Sequence, residues 1–148
     1  RLVEGRALIL GGVTVPFDRG LLGHSDADVL THVVMDALLG AAALGDIGQL
    51  FPDSDAAYAG ADSIVLLERV TALLREHGWQ VGNVDATVVA QTPKLAPYIP
   101  DMRRRLAEAM GLDVDCVSVK ATTEEKLGFT GSGGGVAAHA VALIERLN

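Results

Sequence analysis

Three things are scarce in this chain, and each scarcity excludes a class of protein. It has one cysteine, Cys116, which excludes an internal disulfide and fits a reducing compartment. No apolar run approaches the ~20 residues of a membrane helix. Lysine and arginine number 12 against 19 aspartates and glutamates, which argues against a nucleic-acid binder with a cationic face. We expect a cytoplasmic protein with neither nucleic-acid nor membrane partners.

The remaining composition is that of one folded domain. The 148 residues are 49% hydrophobic and 21% charged, without repeats or low-complexity linkers. A chain of this length buries about two-thirds of its unfolded surface, so a substantial core is expected. We predict a single domain over residues 1–148. Because the net charge is −7, an anionic substrate has to be held locally by metals, helix ends, hydroxyls or loop N–H groups.

Strand and helix signals alternate along the chain. The paired Gly11 and Gly12 predict a hairpin between strands at 7–10 and 13–16. Helices are predicted at about 28–44, 62–77 and 100–110, and further strands at 84–90, 117–121 and 136–144. Segment 45–55 is rich in glycine, proline and aspartate, so we expect an irregular loop there. The pattern predicts an α/β fold with a mixed β-sheet and helices on one of its faces.

The last predicted strand is apolar on both faces. Val136, Ala138, Ala140, Ala142 and Ile144 alternate with Ala137, His139, Val141 and Leu143. Helices can cover one face of a small sheet, and the other face then exposes more apolar area than soluble monomers usually tolerate. We therefore expect oligomerisation, with loops over the second face as the alternative. His139 is expected to be an interface or core residue rather than a ligand.

The densest cluster of reactive side chains is segment 24–32, with two histidines and two aspartates. Ser25, followed three residues later by Asp28, predicts a capped helix N-terminus, whose N–H groups and dipole attract anions such as phosphate. His32 lies a little over one turn inside that helix, where its imidazole could ligate a metal beside the anion. The alternative is an ordinary capped helix with one surface and one core histidine.

Two further segments have the composition of ligand loops. Segment 90–96 follows a predicted strand and is stiffened by Pro93. Segment 120–135 combines hydroxyls and carboxylates with a glycine run, a combination that can hold phosphate oxygens and Mg²⁺. Taken alone, the second segment is equally consistent with a polar hairpin loop, and Lys94 with a solvated cation.

Taken together, these segments resemble the 2-C-methyl-D-erythritol 2,4-cyclodiphosphate synthase family of the non-mevalonate isoprenoid pathway. The resemblance covers nearly the whole chain. It includes His24-Ser25-Asp26-Ala27-Asp28, Asp36-Ala37-Leu38-Leu39-Gly40, Gly45-Asp46-Ile47-Gly48, Leu50-Phe51-Pro52-Asp53, Pro93-Lys94 and Lys120-Ala121-Thr122-Thr123 through Gly131. It implies a bacterial cytoplasmic homotrimer, with two-layer subunits whose three main helices cover one face while the sheets surround a threefold axis.

The resemblance also implies the reaction and the residues that perform it. The substrate would be the cytidine diphosphate compound 4-diphosphocytidyl-2-C-methyl-D-erythritol 2-phosphate, cyclised between neighbouring subunits with release of CMP. His32 matches a ligand of Zn²⁺ or a similar cation, Glu125 the ligand of Mg²⁺ or Mn²⁺, and His24 and Thr123 the stabilisers of the transition state. The implied substrate-binding residues are Ser25, Asp46, Ile47, Gly48, Phe51, Pro52, Asp53, Ser54, Asp55, Ala90, Gln91, Thr92, Pro93, Lys94, Leu95, Ala96, Thr122, Thr123, Glu124, Glu125, Phe129 and Ser132.

The chain departs from the family pattern in two places that bear on function. In the family, an Asp-x-His pair immediately ahead of the position of Arg1 completes the zinc site. Because a catalytic zinc usually has three protein ligands, a chain beginning at Arg1 is expected to hold zinc poorly, and we expect the natural protein to carry the pair. Ser132 stands where relatives commonly place an arginine facing the axial cavity, which weakens the expectation of isoprenoid-diphosphate binding there. A zinc hydrolase and a non-catalytic trimeric binding module are the alternative functions.

Overall fold

The computed structural model describes residues 1–148 as an α/β fold in which helices cover a mixed sheet. The strands are β1 (Leu2–Glu4), β2 (Leu8–Leu10), β3 (Val13–Val15), β4 (Arg19–Leu21), β5 (Trp79–Val89), β6 (Val117–Thr122) and β7 (Ala137–Arg146). The helices are α1 (Val29–Ala41), α2 (Ile47–Leu50), α3 (Ser63–Glu76), α4 (Ile99–Met110) and α5 (Gly128–Gly131), with 3₁₀ turns at Ala56–Tyr58, Ala96–Tyr98 and Val114–Cys116. No helix is both long and apolar enough to cross a bilayer.

The strands form three sheets rather than one. The central sheet has the order β6-β5-β7, with β5 parallel to β6 and antiparallel to β7. The pairs β1-β4 and β2-β3 are separate antiparallel ribbons. The β2-β3 hairpin is confirmed, and Gly11 (φ 59°) and Gly12 (φ 74°) supply the positive φ angles that its tight turn requires. Sequence analysis missed β1 and β4, which at three residues each are too short to show a period.

Helices α1, α3 and α4 pack against one face of the central sheet and enclose the main core. From the sheet, Val84, Ala86 and Val88 of β5 point into this core and are almost fully buried. From α1, the residues Leu30, Val34 and Leu38, at helical spacing, are inaccessible to solvent. The three predicted helices are therefore confirmed, and they fix the direction in which α1 presents the rest of its side chains.

The other face of the central sheet is open, but it is not uniformly apolar as predicted. The apolar part is confined to β7, where Val141 is 68% and Leu143 is 58% exposed. On β5, Asp85 lies opposite Val141, and it also accepts a hydrogen bond from Lys120 Nζ of β6 at 3.0 Å. This hydrogen bond lowers the pKa of Asp85 below its usual range. The open face thus combines an apolar edge with a polar middle.

Several predicted boundaries are wrong for identifiable reasons. Segment 45–55, expected to be irregular, contains α2, because the Asp46 side chain accepts the Gln49 N–H at 2.9 Å and caps a turn. The glycine run likewise contains α5. Strand β5 begins at Trp79 rather than 84, because its polar first half pairs with the end of β7. On α4, the Arg103 guanidinium donates to the Val117 carbonyl of β6 at 2.7 Å.

Candidate active site

A cavity of about 350 Å³ lies beside the N-terminal end of α1. The predicted site residues that line it are His24, Ser25, His32, Ile47, Gly48, Phe51 and Asp53, which we call the pocket group. Segment 24–28 enters from the loop before α1, His32 comes from α1 itself, and the remaining residues come from α2 and the turn after it. Folding of one chain therefore assembles this half of the predicted site.

His24 is held by the loop that follows α2. Its Nε2 lies 3.1 Å from the backbone oxygen of Asp55. A carbonyl oxygen can only accept, so Nε2 carries the proton, and in a neutral ring Nδ1 is the acceptor. Asp55 in turn accepts the Ala57 N–H at 2.9 Å and caps a 3₁₀ turn, which fixes the carbonyl that His24 uses. The predicted residues Pro52, Ser54 and Asp55 lie directly before this turn and do not line the cavity.

His32 is anchored on its Nε2 side by two hydroxyls. Ser63 Oγ lies 2.8 Å from Nε2, and Ser25 Oγ lies at 3.2 Å. Ser63 is the first residue of α3 and is fully buried. Its hydroxyl donates to Asp26 Oδ1 at 2.5 Å. His32 is therefore part of a hydrogen-bonded chain that joins α1 to α3.

The start of α1 does not offer the anion site that the sequence predicted. Asp28, not Ser25, caps the helix, and its carboxylate accepts from the N–H groups of Gly11, Gly12 and Thr31 and from the Thr31 hydroxyl. Asp28 is fully buried. Burial raises the pKa of Asp28, and the hydrogen bonds from Thr31 and the glycines oppose that rise. The cap occupies the helix end, so a bound phosphate has to use other donors.

The remaining predicted residues form a second group at the carboxyl ends of β5 and β6. Because these strands are parallel, segments 90–96 and 122–125 leave the sheet at the same edge; we call them the loop group. Ala90 N–H donates to the Thr122 carbonyl at 3.0 Å, and Gln91 Oε1 accepts the Lys126 N–H at 3.1 Å. No residue of the loop group lines the cavity of the pocket group.

The backbone of the loop group turns sharply after Thr123. Its hydroxyl accepts the Glu125 N–H at 3.2 Å, and Glu125 and Lys126 adopt left-handed φ angles of 53° and 67°. Such angles cost about 1–3 kcal/mol in residues other than glycine and cluster at functional sites. Behind the turn, a side chain on Gly131 would lie 2.2 Å from the Lys126 carbonyl carbon, so only glycine fits there. Glu124 and Glu125 are held out into solvent.

The other predicted residues lie at the margins of these two groups. Asp46 caps α2 with its side chain exposed, next to Ile47 and Gly48 of the pocket group. Phe129 is 63% exposed, and Ser132 donates its hydroxyl to the Phe129 carbonyl at 3.1 Å. Within the loop group itself, Lys94 is exposed and makes no ion pair.

The described residues do not by themselves form a metal site. No group of three or more His, Cys, Asp or Glu side chains is arranged to hold an ion. His32 offers one nitrogen and Glu125 one exposed carboxylate, in separate groups. The expectation of an Asp-x-His pair concerns residues outside 1–148 and stays a prediction.

Sequence reasoning missed three side chains that shape the pocket group. Asp26 and Ser63 lie behind His32, and Tyr58 packs edge-on against Phe51 with ring centroids 5.2 Å apart. Asp26 lies within the dense 24–32 cluster, and this position could have indicated a role in the site. Ser63, 31 residues from His32, looks like any first residue of a helix after its Asp62 cap.

Comparisons with known proteins show the family and the fold. The model of the YgbB family matches residues 1–145. The 2-C-methyl-D-erythritol 2,4-cyclodiphosphate synthase of Trichlorobacter lovleyi is 62% identical over 144 residues, which is 97% of this chain and 92% of that protein.

Two solved structures show the same fold. The bifunctional IspDF of Campylobacter jejuni superposes with a TM-score of 0.95 at 42% identity, covering 99% of this chain and 40% of that longer one. The IspF–CDP complex of Plasmodium falciparum gives 0.85 at 33% identity, covering 99% and 88%. This chain therefore belongs to the YgbB family, together with the 2-C-methyl-D-erythritol 2,4-cyclodiphosphate synthases.

Proposed function

We propose that the chain converts 4-diphosphocytidyl-2-C-methyl-D-erythritol 2-phosphate to 2-C-methyl-D-erythritol 2,4-cyclodiphosphate and releases CMP. The observation that carries this proposal is the 62% identity to a synthase of that name across 97% of the chain. The ring of the product forms between two phosphate groups of the same substrate molecule. The protein consequently needs no covalent nucleophile and acts as an isoprenoid-pathway lyase.

The bond changes define what the site residues have to do. An oxygen of the substrate's 2-phosphate forms a bond to the β-phosphorus, and the bond from that phosphorus to the bridging oxygen breaks, so that CMP leaves with the electron pair. Catalysis is then mostly alignment and charge neutralisation, and alignment alone can supply ~7–11 kcal/mol. We assign His24 and Thr123 to stabilising charge on the reacting phosphates and Ser25 to binding a phosphate oxygen.

The remaining contacts divide between the two groups. Asp46, Ile47, Gly48 and residues 51–55 take the erythritol end, which suits a cavity that combines apolar walls with polar donors. Segment 90–96, with Thr122, takes the cytidine end through its backbone groups, supported by Glu124, Phe129 and Ser132 around it. The CDP complex of the Plasmodium falciparum relative supports a cytidine diphosphate ligand.

Two divalent cations belong to this proposal. His32 is assigned to zinc or a similar cation, and Glu125 to magnesium or manganese together with substrate phosphates. A bound divalent cation would reduce the repulsion between the phosphates as they approach. The chain's own contribution is one imidazole in the pocket group and one solvent-facing carboxylate in the loop group.

We assign the assembly as a homotrimer with a site at each subunit boundary. Two observations support it. The pocket group and the loop group share no cavity within one chain. In addition, Val141 and Leu143 leave an apolar edge on the open face, which a second copy would cover.

The direct test is to supply the substrate with Zn²⁺ and Mg²⁺ and to follow products by mass spectrometry and ³¹P NMR. The expected products are CMP and the cyclic diphosphate in equal amounts. Release of inorganic phosphate would indicate a zinc hydrolase instead. Tight binding without turnover would indicate a binding module. Full activity in His32→Ala or Glu125→Ala would contradict the assigned roles.

A further inference from the structure

We propose that Ser63 and Asp26 are positioning residues for His32, and that they hold its ring in the tautomer with a proton on Nε2 and a free lone pair on Nδ1. This inference deepens the proposed function, since it rests on His32 working in the pocket group.

The direction of one hydroxyl proton carries the argument. Ser63 Oγ lies 2.5 Å from Asp26 Oδ1 and 2.8 Å from His32 Nε2. A hydroxyl has one proton and a carboxylate only accepts, so the Ser63 proton points to Asp26. Ser63 then presents a lone pair to His32. A favourable contact at 2.8 Å requires that Nε2 carry the proton.

The second hydroxyl is consistent with the same tautomer. Ser25 Oγ lies 3.2 Å from Nε2 and accepts the Ala27 N–H at 3.2 Å. If Nε2 were unprotonated, Ser25 could donate to it, but the lone pairs of Ser63 Oγ and Nε2 would then face each other at 2.8 Å. With Nε2 protonated, both hydroxyl oxygens can accept from it, and Ser63 does so at the shorter distance.

The hydrogen-bonded chain is held on a rigid frame. Asp26 Oδ2 also accepts the Ser63 N–H at 3.0 Å, and the Asp26 N–H donates to the Ala61 carbonyl at 3.1 Å. Gly60 N–H donates to the His24 carbonyl at 2.8 Å. Segments 24–26 and 60–63 are thus tied by backbone and side chain together, with Ser63 completely buried between them.

The consequence for the site concerns the other ring nitrogen. Nδ1 has no hydrogen bond within the chain, and with the proton fixed on Nε2 it offers a lone pair to a cation or to a donor on the substrate. Histidines that bind ligands through one nitrogen generally have the other fixed by such an outer partner, whose removal costs about 10–100-fold in function. Ser63 is that partner, and Asp26 fixes the orientation of Ser63.

Long-range ¹H–¹⁵N NMR of histidine-labelled protein at about pH 8.5, where an ordinary imidazole is neutral, reports the tautomer directly. We expect His32 Nε2 at the frequency of a protonated ring nitrogen and Nδ1 at that of an unprotonated one. In Ser63→Ala, we expect both tautomers of His32 to be populated and the signal of the hydrogen-bonded Nε2–H proton to be lost. Asp26→Ala should free the Ser63 proton to donate to Nε2, and the ring should shift towards Nδ1–H.

Ser25→Ala is the matched control, because it removes the other hydroxyl and should keep the wild-type tautomer. Circular dichroism identifies any variant that fails to fold, and the wild-type spectrum is informative without either variant. A wild-type ring protonated on Nδ1, or folded Ser63→Ala and Asp26→Ala variants with the wild-type spectrum, would overturn the inference.

Activity distinguishes this inference from the proposed function. Ser63→Ala should lower kcat for CMP release about 10–100-fold with a smaller change in KM. An inactive wild-type protein with the expected NMR spectrum would refute the proposed function while supporting the tautomer. An active protein with the opposite tautomer would refute this inference alone.

Discussion

The pocket group and the loop group differ in how much of their surroundings one chain supplies. Behind the pocket group, Asp28 and Ser63 are fully buried and fully hydrogen-bonded. Around the loop group, every residue from 121 to 129 is exposed, including Leu127 at 71% and Phe129 at 63%. Folding therefore buries the residues behind the first group, whereas segment 121–129 around the second has a defined backbone but no cover.

This difference supports the proposed homotrimer, in which the two groups would meet across a boundary between copies. The exposed apolar side chains Leu127 and Phe129 lie beside a strained turn, and their own chain does not bury them. Because β5 and β6 are parallel, the loops that follow them lie side by side at one edge of the sheet. No residue of the loop group lines the cavity. Experiments that alter each group separately test this proposal.

Subunit complementation has the largest expected effect. His24→Ala in the pocket group and Glu125→Ala in the loop group should each lower CMP release by about 10²–10³-fold, as loss of one charge-stabilising group does. Random co-assembly of the two variants in a trimer should restore about a quarter of wild-type activity, since each boundary needs one intact group from either side. Activity of co-expressed, co-purified protein is the measurement.

The control pair is His24→Ala with His32→Ala. Both changes lie in the pocket group, so no boundary in a mixed trimer has an intact pocket and activity should stay low. No restoration by the first pair would show that one chain supplies both groups. Equal restoration by the control pair would show that His24 and His32 do not act in the same pocket.

Charging the open face should separate the copies. Val141→Asp with Leu143→Asp places two carboxylates on the exposed edge of β7, where burial against a neighbour would leave them unpaired. We expect a monomer by sedimentation velocity and CMP release as low as in the single-site variants. Val65→Asp, on the exposed side of α3 at 44% exposure, is the matched control and should leave assembly and activity intact.

Removing the buried cap tests the rigidity of the pocket group. Asp28→Ala leaves the N–H groups of Gly11, Gly12 and Thr31 without their acceptor. We expect the free energy of unfolding to fall by about 3 kcal/mol in urea denaturation, combining a lost cap with unsatisfied buried donors.

Asp62→Ala is the matched control for that change. Asp62 is also a helix cap, but it is exposed and accepts only the Ile64 N–H at 2.9 Å. Its loss should cost about 1 kcal/mol. Equal costs for the two variants would mean that the hairpin turn contributes nothing to holding α1.

How much of this could be foreseen from the sequence depends on the range of the interactions involved. Periodicity located α1, α3 and α4, and paired glycines located the hairpin, because these signals are local. The 24–32 cluster predicted His24 and His32 together. It misassigned the cap to Ser25, because two of the N–H groups that hold Asp28 in place lie 16 and 17 residues away. Ser63 could not be predicted either, because the residue it contacts, His32, is 31 residues away. Separation of the two groups depends on strand order, which local patterns do not encode.

The smallest expected effect concerns the polar middle of the open face. Lys120 lowers the pKa of Asp85, so their pair contributes stability above the ordinary carboxyl pKa, and this contribution is lost as pH falls through the lowered value. Asp85→Asn should therefore lower the melting temperature slightly near pH 7 and have less effect below about pH 4.

Exposed ion pairs contribute little to stability, and salt screens them. If the open face is covered in the trimer, the effect of Asp85→Asn should resist salt, whereas in the Val141→Asp, Leu143→Asp monomer it should disappear at high salt. Equal salt sensitivity in both would mean that this face stays open to water.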